Sequence, residues 1–392
     1  MDRNARRDIG NVDVVVFNKG GRESRIELLA RGDEVPREFF YGFFDLEKAG
    51  LKSAMISTSG AEPGLLGSTA DIFERALARV TGVGARPMSV RLRAAAFANA
   101  KVAISYTDGF SLSLGLGLGN VAKRPVLIGG FQGLSDIENR APPSMRGFSR
   151  AVIKRSLAGL DHVFFLGPAD RARAIETYGV DPARSSILTF GVDTEFWRPL
   201  PDQGKEDFVL AIGQDLNRDF DLLARAPGSN PTLIITRNPV RVPAGATHIR
   251  ISPGGFADPN SATDEDLRRL YNNAAAVVVP LKDVYQPSGQ SVTLQAMSCG
   301  RPVILTKTRG IWAADLLKDG DNCVLVPPGD AEALGAAITQ LRNDPALAAR
   351  IGASARATAV AHFGLDKLGQ GTVDLARLGL SLAARRAGAQ AG

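Results

Sequence analysis

Residues 275–306 read AAVVVPLKDVYQPSGQSVTLQAMSCGRPVILT and hold a complete strand–loop–helix–strand unit. Ala275–Pro280 and Pro302–Thr306 are apolar at nearly every position. Strands of that kind are covered on both faces, which is the condition of a parallel sheet sandwiched between helices. Between them, Ser288-Gly289-Gln290-Ser291 leads into the short helical stretch VTLQAM, and Cys299-Gly300 closes it. Two parallel strands joined through one helix form a βαβ unit with a right-handed crossover.

The same alternation extends outward in both directions. Upstream it predicts strands at Val14–Phe17, Ser53–Ile56, Val102–Tyr106, Arg124–Ile128 and His162–Leu166. A second series is predicted at Phe208–Ile212, Thr232–Thr236, Ala275–Pro280, Pro302–Thr306 and Cys323–Val326. The pattern restarts after Trp197–Lys205, a polar stretch with Pro199, Pro201 and Gly204, which reads as a linker. The expectation is an α/β protein of two doubly wound, Rossmann-like parallel-sheet domains facing a cleft, spanning 1–200 and 201–362. Residues 363–392 are expected to form a closing helix over Leu365–Arg386 and a frayed tail.

In doubly wound sheets, ligands bind beyond the carboxyl ends of the strands. At the end of the Ala275–Pro280 strand, Gly289 lets backbone approach a ligand, and Ser288 or Ser291 is suited to cap the following helix. Free N–H groups at that helix start, with the helix dipole, make an anion site of the kind a diphosphate fills. An ordinary Ser-capped turn would explain the same residues. Gln295 lies a turn further along, where its amide could meet ribose hydroxyls. Other strand ends carry Asn18-Lys19-Gly20-Gly21-Arg22 and Tyr106-Thr107-Asp108-Gly109. Gly20 and Gly21 allow close approach to a diphosphate, or simply make a tight turn. Asp108 is a candidate base or hydroxyl ligand, or a helix N-cap.

Composition excludes several classes. Among 392 residues there are two cysteines, Cys299 and Cys323, and three histidines without metal-ligand spacing, so neither a disulfide framework nor a zinc site is expected. No apolar run reaches the roughly 20 residues needed to span a bilayer. The start does not read as a secretory signal, and a cytoplasmic setting is expected. Net charge is +6, and residues 1–190 hold about 26 Lys and Arg against about 20 Asp and Glu. With 6% aromatics and no nucleic-acid motif, nucleic acid is not an expected partner. Arg146, Arg150 and Lys154 recur every four residues. They form either a surface for peripheral contact with an anionic membrane at its inner face, or a solvated helix face.

Four stretches together resemble retaining glycosyltransferases of family 4, whose architecture is called GT-B. They are QPSGQSVTLQAMSCG (286–300), GVDTEFWRP (191–199), FVLAIGQDLNRDFDLLARA (208–226) and DGDNCVLVPPGDAEALGAAI (319–338). The likeness covers roughly residues 160–362. It implies a nucleotide-sugar donor as co-substrate, held by the C-terminal domain, with no metal or other cofactor. A glycan or glycolipid acceptor would sit on the N-terminal domain, with transfer retaining the anomeric configuration.

Three departures stand out. Where the family has two glutamates, this chain has Pro287 and Gln295. Gln290 is then expected to touch the donor sugar and Gln295 the ribose. The family's diphosphate-binding arginine is here Gln214, while Arg218 falls near its lysine. Arg218 is expected to clamp the diphosphate beside the amides of Ser288, Gly289 and Ser291. A histidine of the first domain is missing, and Gln132 is expected in its role on the acceptor side. A protein that binds a nucleotide sugar without transferring it is the alternative expectation.

Overall fold

The computed structural model describes residues 10–19, 22–58, 65–201, 206–254 and 262–391. By packing, the chain divides into two units. Unit 1 comprises Met1–Ile26, Phe39–Thr189 and Gly369–Gly392, and unit 2 comprises Glu27–Glu38 and Phe190–Leu368. The division therefore falls a few residues before the compositional linker, and a short N-terminal stretch packs with the second unit.

Unit 1 is built on β1 (Val14–Lys19), β2 (Ser53–Thr58), β3 (Val102–Ser105), β4 (Val126–Phe131), β5 (His162–Phe165) and β6 (Ser185–Ile187). All pair in parallel, in the order β2-β1-β3-β4-β5-β6. The chain reverses its direction of growth between β1 and β3, the arrangement of flavodoxin-like sheets. A glycine-bearing helix runs from Asp108 to Leu118. Its glycines serve a helix–helix contact: a Cβ on Gly159, in helix Arg146–Gly159, would lie 2.9 Å from the carbonyl carbon of Gly115.

Unit 2 carries β7 (Val209–Ile212), β8 (Thr232–Ile235), β9 (Ile249–Ser252), β10 (Ala276–Val279), β11 (Val303–Thr306) and β12 (Val324–Val326). These strands are parallel too, in the order β12-β11-β10-β7-β8-β9. Read from the other edge, this is the 3-2-1-4-5-6 order of dinucleotide-binding sheets, with the reversal between β7 and β10. The inner strands are fully buried, as their unbroken apolar runs require. Trp197 and Tyr271 are buried in the same unit and pack edge to face at 5.6 Å. The last helix runs from Leu365 to Ala391, past the predicted end, and the division between units falls within it.

Candidate functional site

At the unit 2 switch point the loops after β7 and β10 are stitched together. The first is a tight turn: the Arg218 N–H donates to Asp215 O (3.1 Å) and the Asn217 N–H to Asp215 Oδ1 (2.8 Å). An Asp at the first position of a turn makes both bonds. Asp219 then caps helix Phe220–Arg225 by accepting from Leu222 N (3.0 Å). Across to the second loop, Lys282 N donates to Asn217 O and Asp219 N to Pro280 O, both at 2.9 Å. Asn217 Nδ2 donates to Gln286 Oε1 (3.0 Å) and to Ser288 Oγ (3.4 Å).

This stitching fixes Arg218, the predicted phosphate clamp. The residue is only 8% exposed, and among the described residues its Nε and Nη1 have no hydrogen-bond partner. Its guanidinium lies between two glycines. A Cβ on Gly213 would lie 2.9 Å from Cζ, and one on Gly289 would lie 3.3 Å from Nη1. Burial pulls the Arg218 pKa below its ordinary value, opposed by the field of Asp215. A buried cation with unmet donors is costly, and such a group marks a place prepared for an anion.

Helix Gln290–Ser298 starts at the same place. Its N-cap is Gly289, left-handed at φ +83°, and no side chain caps it. The expectation that Ser288 or Ser291 caps this helix is therefore corrected. Ser288 is buried and takes its bond from Asn217, while Ser291 is half-buried in the first turn. Only glycine reaches the N-cap conformation without strain. No N-cap side chain covers the first turn beside Arg218, so guanidinium and helix dipole act on one point. Gln290, at the first helical position, is 6% exposed. Gln214 is exposed and accepts from the Arg237 N–H at 2.9 Å.

Gln295 is occupied within unit 2. Its Oε1 accepts from Tyr271 Oη–H (3.0 Å), and its Nε2 donates to Glu38 Oε1 (3.0 Å). Trp197 Nε1 donates to the same Glu38 oxygen (2.7 Å). Sequence reasoning did not single out Glu38, Trp197, Tyr271 or Asn217 as functional. Glu38 lies 257 residues from Gln295, a separation no local pattern reveals.

At the unit 1 switch point, Gly20 and Gly21 lie outside the described residues. Asp108 does not cap its helix: Thr107 is the N-cap, without a side-chain bond. Instead Asp108 Oδ1 accepts from Gln132 N (3.0 Å) and Gly133 N (3.2 Å). Burial raises its pKa, against those bonds and Arg140. The Gln132 side chain donates to Tyr41 Oη (3.0 Å) and to Tyr106 O (2.8 Å). Tyr41 stacks on Tyr106 at 4.7 Å. Thus Asp108 and Gln132, predicted separately, form one cluster. Nearby Asp170 is wholly buried and accepts from Ser135 N (2.9 Å) and Leu134 N (3.3 Å). Burial pushes its pKa up to about 7, and Asp108 adds to the shift. Asn18, buried near the end of β1, has no partner for either amide atom among the described residues.

A cavity of about 890 Å³ opens at the amino-terminal edge of β10 and β11, among Pro199, Cys299, Arg301, Pro302 and Arg356. It is at the end of the strands opposite the switch point and is not the candidate site. In helix Arg146–Gly159, Arg150 is paired with Glu138 at 2.7 Å, while Arg146, Lys154 and Arg155 are exposed. Among the described residues no helix is long and apolar enough to cross a membrane.

Residues 252–344, within unit 2, match the family described as Glycosyl transferases group 1. A D-inositol 3-phosphate glycosyltransferase of Streptomyces bingchenggensis is 32% identical over 249 residues, covering 54% of this chain and 53% of that protein. An alpha-maltose-1-phosphate synthase of Mycobacterium tuberculosis is 25% identical over 228 residues, 50% of this chain and 58% of that protein. The chain thus spans between about half and three fifths of the length of such relatives. Among solved structures, sucrose-phosphate synthase from Thermosynechococcus elongatus aligns with a TM-score of 0.65 at 17% identity, covering 93% of this chain and 98% of that one. Anabaena HepE in complex with UDP-glucose aligns with a TM-score of 0.59 at 15% identity, covering 93% and 98%. At these identities the likeness is one of fold: two Rossmann-like units of the GT-B type.

Proposed function

We propose that the chain is a glycosyltransferase that moves a sugar from a nucleoside-diphosphate sugar to a glycan or lipid-linked acceptor. One observation carries the reading. The unpartnered, buried guanidinium of Arg218 and the uncapped start of helix Gln290–Ser298 converge at the carboxyl ends of β7 and β10. The relatives named as glycosyltransferases and the fold of the UDP-glucose-bound neighbour support it.

In this reading Arg218 and the amides following Gly289 hold the diphosphate, and Gln290 faces the donor sugar. Gln295 belongs to the wall of the ribose subsite, held by Tyr271 and Glu38. As the bond from the anomeric carbon to the diphosphate breaks, negative charge grows on the departing oxygen. Fixed donors aimed at that charge lower the barrier. The acceptor oxygen bonds to the anomeric carbon on the same face, and its proton passes to the leaving diphosphate. Configuration is thereby retained. Unit 1 takes the acceptor, with Asp108 and Gln132 toward its hydroxyls. A lipid-linked acceptor would bring the exposed Arg146, Lys154 and Arg155 to an anionic membrane face in a cytoplasmic setting.

The test is a thermal-shift screen of the full chain against nucleoside diphosphates and their sugars, then measurement of nucleoside diphosphate release with acceptors. Stabilisation by at least one nucleotide and release on adding acceptor are expected. No stabilisation by any of them would sink the reading. The absence of carboxylates at Pro287 and Gln295 favours a second reading, a nucleotide-sugar binder without turnover. Tight binding with no release under any acceptor would select it.

A further inference from the structure

Residues 27–38 come from the N-terminal part of the chain yet pack with unit 2. Three residues fasten this strap. Glu34 pairs with Arg268 (2.8 Å) and Arg198 (3.3 Å). Arg37 Nε pairs with Asp193 Oδ2 at 3.0 Å. Glu38, with no exposed surface, ends the strap inside the unit. Its Oε1 accepts from Trp197 Nε1 (2.7 Å) and Gln295 Nε2 (3.0 Å), and its Oε2 accepts from Asp193 N (3.2 Å).

All three partners of Glu38 can only donate: an indole N–H, an amide NH2 and a backbone N–H. A carboxylate satisfies them all, whereas a protonated acid would point its own hydrogen at a donor. The far end of the Gln295 amide accepts from Tyr271 Oη–H (3.0 Å). Glu38 below and Tyr271 above therefore fix which way that amide faces. Gln295 sits in the second turn of the helix whose start adjoins Arg218.

We infer that Glu38 is a positioning residue for the anion site. As a carboxylate it locks the Gln295 amide and so sets helix Gln290–Ser298 against Arg218. The inference rests on the nucleotide-sugar reading above. It places the carboxylate one hydrogen bond from position 295, on a segment remote in sequence.

The groups facing Glu38 are few. Asp193, on the segment after β6, opposes its ionisation but is itself held by Arg37. Tyr271, on helix Asp264–Asn273, has its pKa raised by burial and stays a neutral donor. Trp197 and Gln295 carry no charge. Burial pushes the Glu38 pKa up to about 7, with its hydrogen bonds pulling the other way. The lock should therefore release as pH falls through neutrality.

Binding of UDP-glucose to the full chain, measured by calorimetry between about pH 5.5 and 8.5, tests this, because its diphosphate diester does not titrate there. Affinity should fall about tenfold from the alkaline to the acidic end, as for one charge-assisted hydrogen bond. Glu38→Gln should bind about tenfold more weakly at pH 8 and show a flat profile. Adding Gln295→Glu to that variant returns a carboxylate to the pair and should recover most of the loss. Without any ligand, the Trp197 indole N–H and Gln295 side-chain amide resonances should titrate together with a midpoint near 7, and should not do so in Glu38→Gln.

A wild-type chain in which neither resonance moves across that range overturns the inference, and this titration needs no variant. So does Glu38→Gln with unchanged affinity and pH profile. Failure of any nucleotide sugar to bind wild type would overturn the functional reading, and with it the link from Glu38 to an anion site. The indole titration would still decide whether the Glu38–Gln295 lock exists.

Discussion

The two units place opposite charges at the carboxyl ends of their parallel strands. In unit 2, the loops after β7 and β10 enclose a cation without a partner beside an uncapped helix start. In unit 1, the loops after β3 and β4 enclose a carboxylate, Asp108, whose Oδ1 accepts two backbone N–H bonds, with a second buried acid, Asp170, close by. One place is prepared for negative charge, the other for groups that donate hydrogen bonds. Both clusters lie beyond the carboxyl ends of parallel strands, although the two strand orders differ. In the proposed reading, the loop residues fit one to a diphosphate and the other to a hydroxyl-rich acceptor.

The largest expected effect comes from removing the unmatched cation. Arg218→Ala should lower turnover by about 100- to 1,000-fold, the range for one donor aimed at developing charge. Thermal unfolding of the ligand-free variant should be unchanged or shifted upward, because an unpaired buried charge costs stability. A variant with near-normal turnover would erase the contrast between the units. A variant that unfolds would make Arg218 a structural residue.

Gly213→Ala asks whether the position of that cation matters as well as its presence. The added Cβ would crowd Arg218 Cζ at 2.9 Å and Cδ at 3.0 Å. The crowded atoms belong to a flexible side chain, so the guanidinium should move and the fold should hold. Turnover should fall on the order of ten- to a hundredfold with little change in unfolding temperature, as expected when a catalytic group is displaced by about an ångström. Unchanged turnover would mean that the guanidinium works from more than one position.

Much of this contrast was legible in the sequence. All ten predicted strands are present, most of them as unbroken apolar runs of strands buried on both faces. The two missed strands, Ser185–Ile187 and Ile249–Ser252, lie at sheet edges, are partly exposed and have no such run. Gly289 stands out because a glycine just ahead of a helix is a local feature, and Arg218 because it falls near the lysine of the family the sequence resembles. The helix cap was misjudged at Ser288 and Ser291, since serine's capping habit says nothing about which residue takes the N-cap conformation. Glu38 could not be found at all. Its partners, Trp197 and Gln295, are 159 and 257 residues away, and burial of an acid is a property of the fold.

For unit 1 the matching substitution is Asp108→Asn. Both backbone bonds go to Oδ1, which asparagine keeps, so the loop should remain in place. Only charge and basicity are lost. The rate of transfer to acceptor should fall roughly tenfold, below the range for a full general base because in the proposed mechanism the leaving diphosphate takes the proton. The KM for nucleotide sugar should stay the same. A change in nucleotide-sugar KM with an intact transfer rate would reverse the assignment of roles to the two units.

The smallest effect is also a test of the bare helix start. A serine that caps a helix costs about 1 kcal/mol when changed to alanine. Ser288 makes one long bond, from Asn217 Nδ2 at 3.4 Å, and neither it nor Ser291 caps helix Gln290–Ser298. Ser288→Ala and Ser291→Ala should each change the unfolding free energy of the ligand-free chain by less than about 0.5 kcal/mol, the scatter of ordinary substitutions without a cap. Denaturant titration resolves the difference. A loss near 1 kcal/mol in either variant would mean that a hydroxyl already occupies the amides in solution. An incoming diphosphate would then have to displace it, and the electrostatic contrast between the two switch points would rest on Arg218 alone.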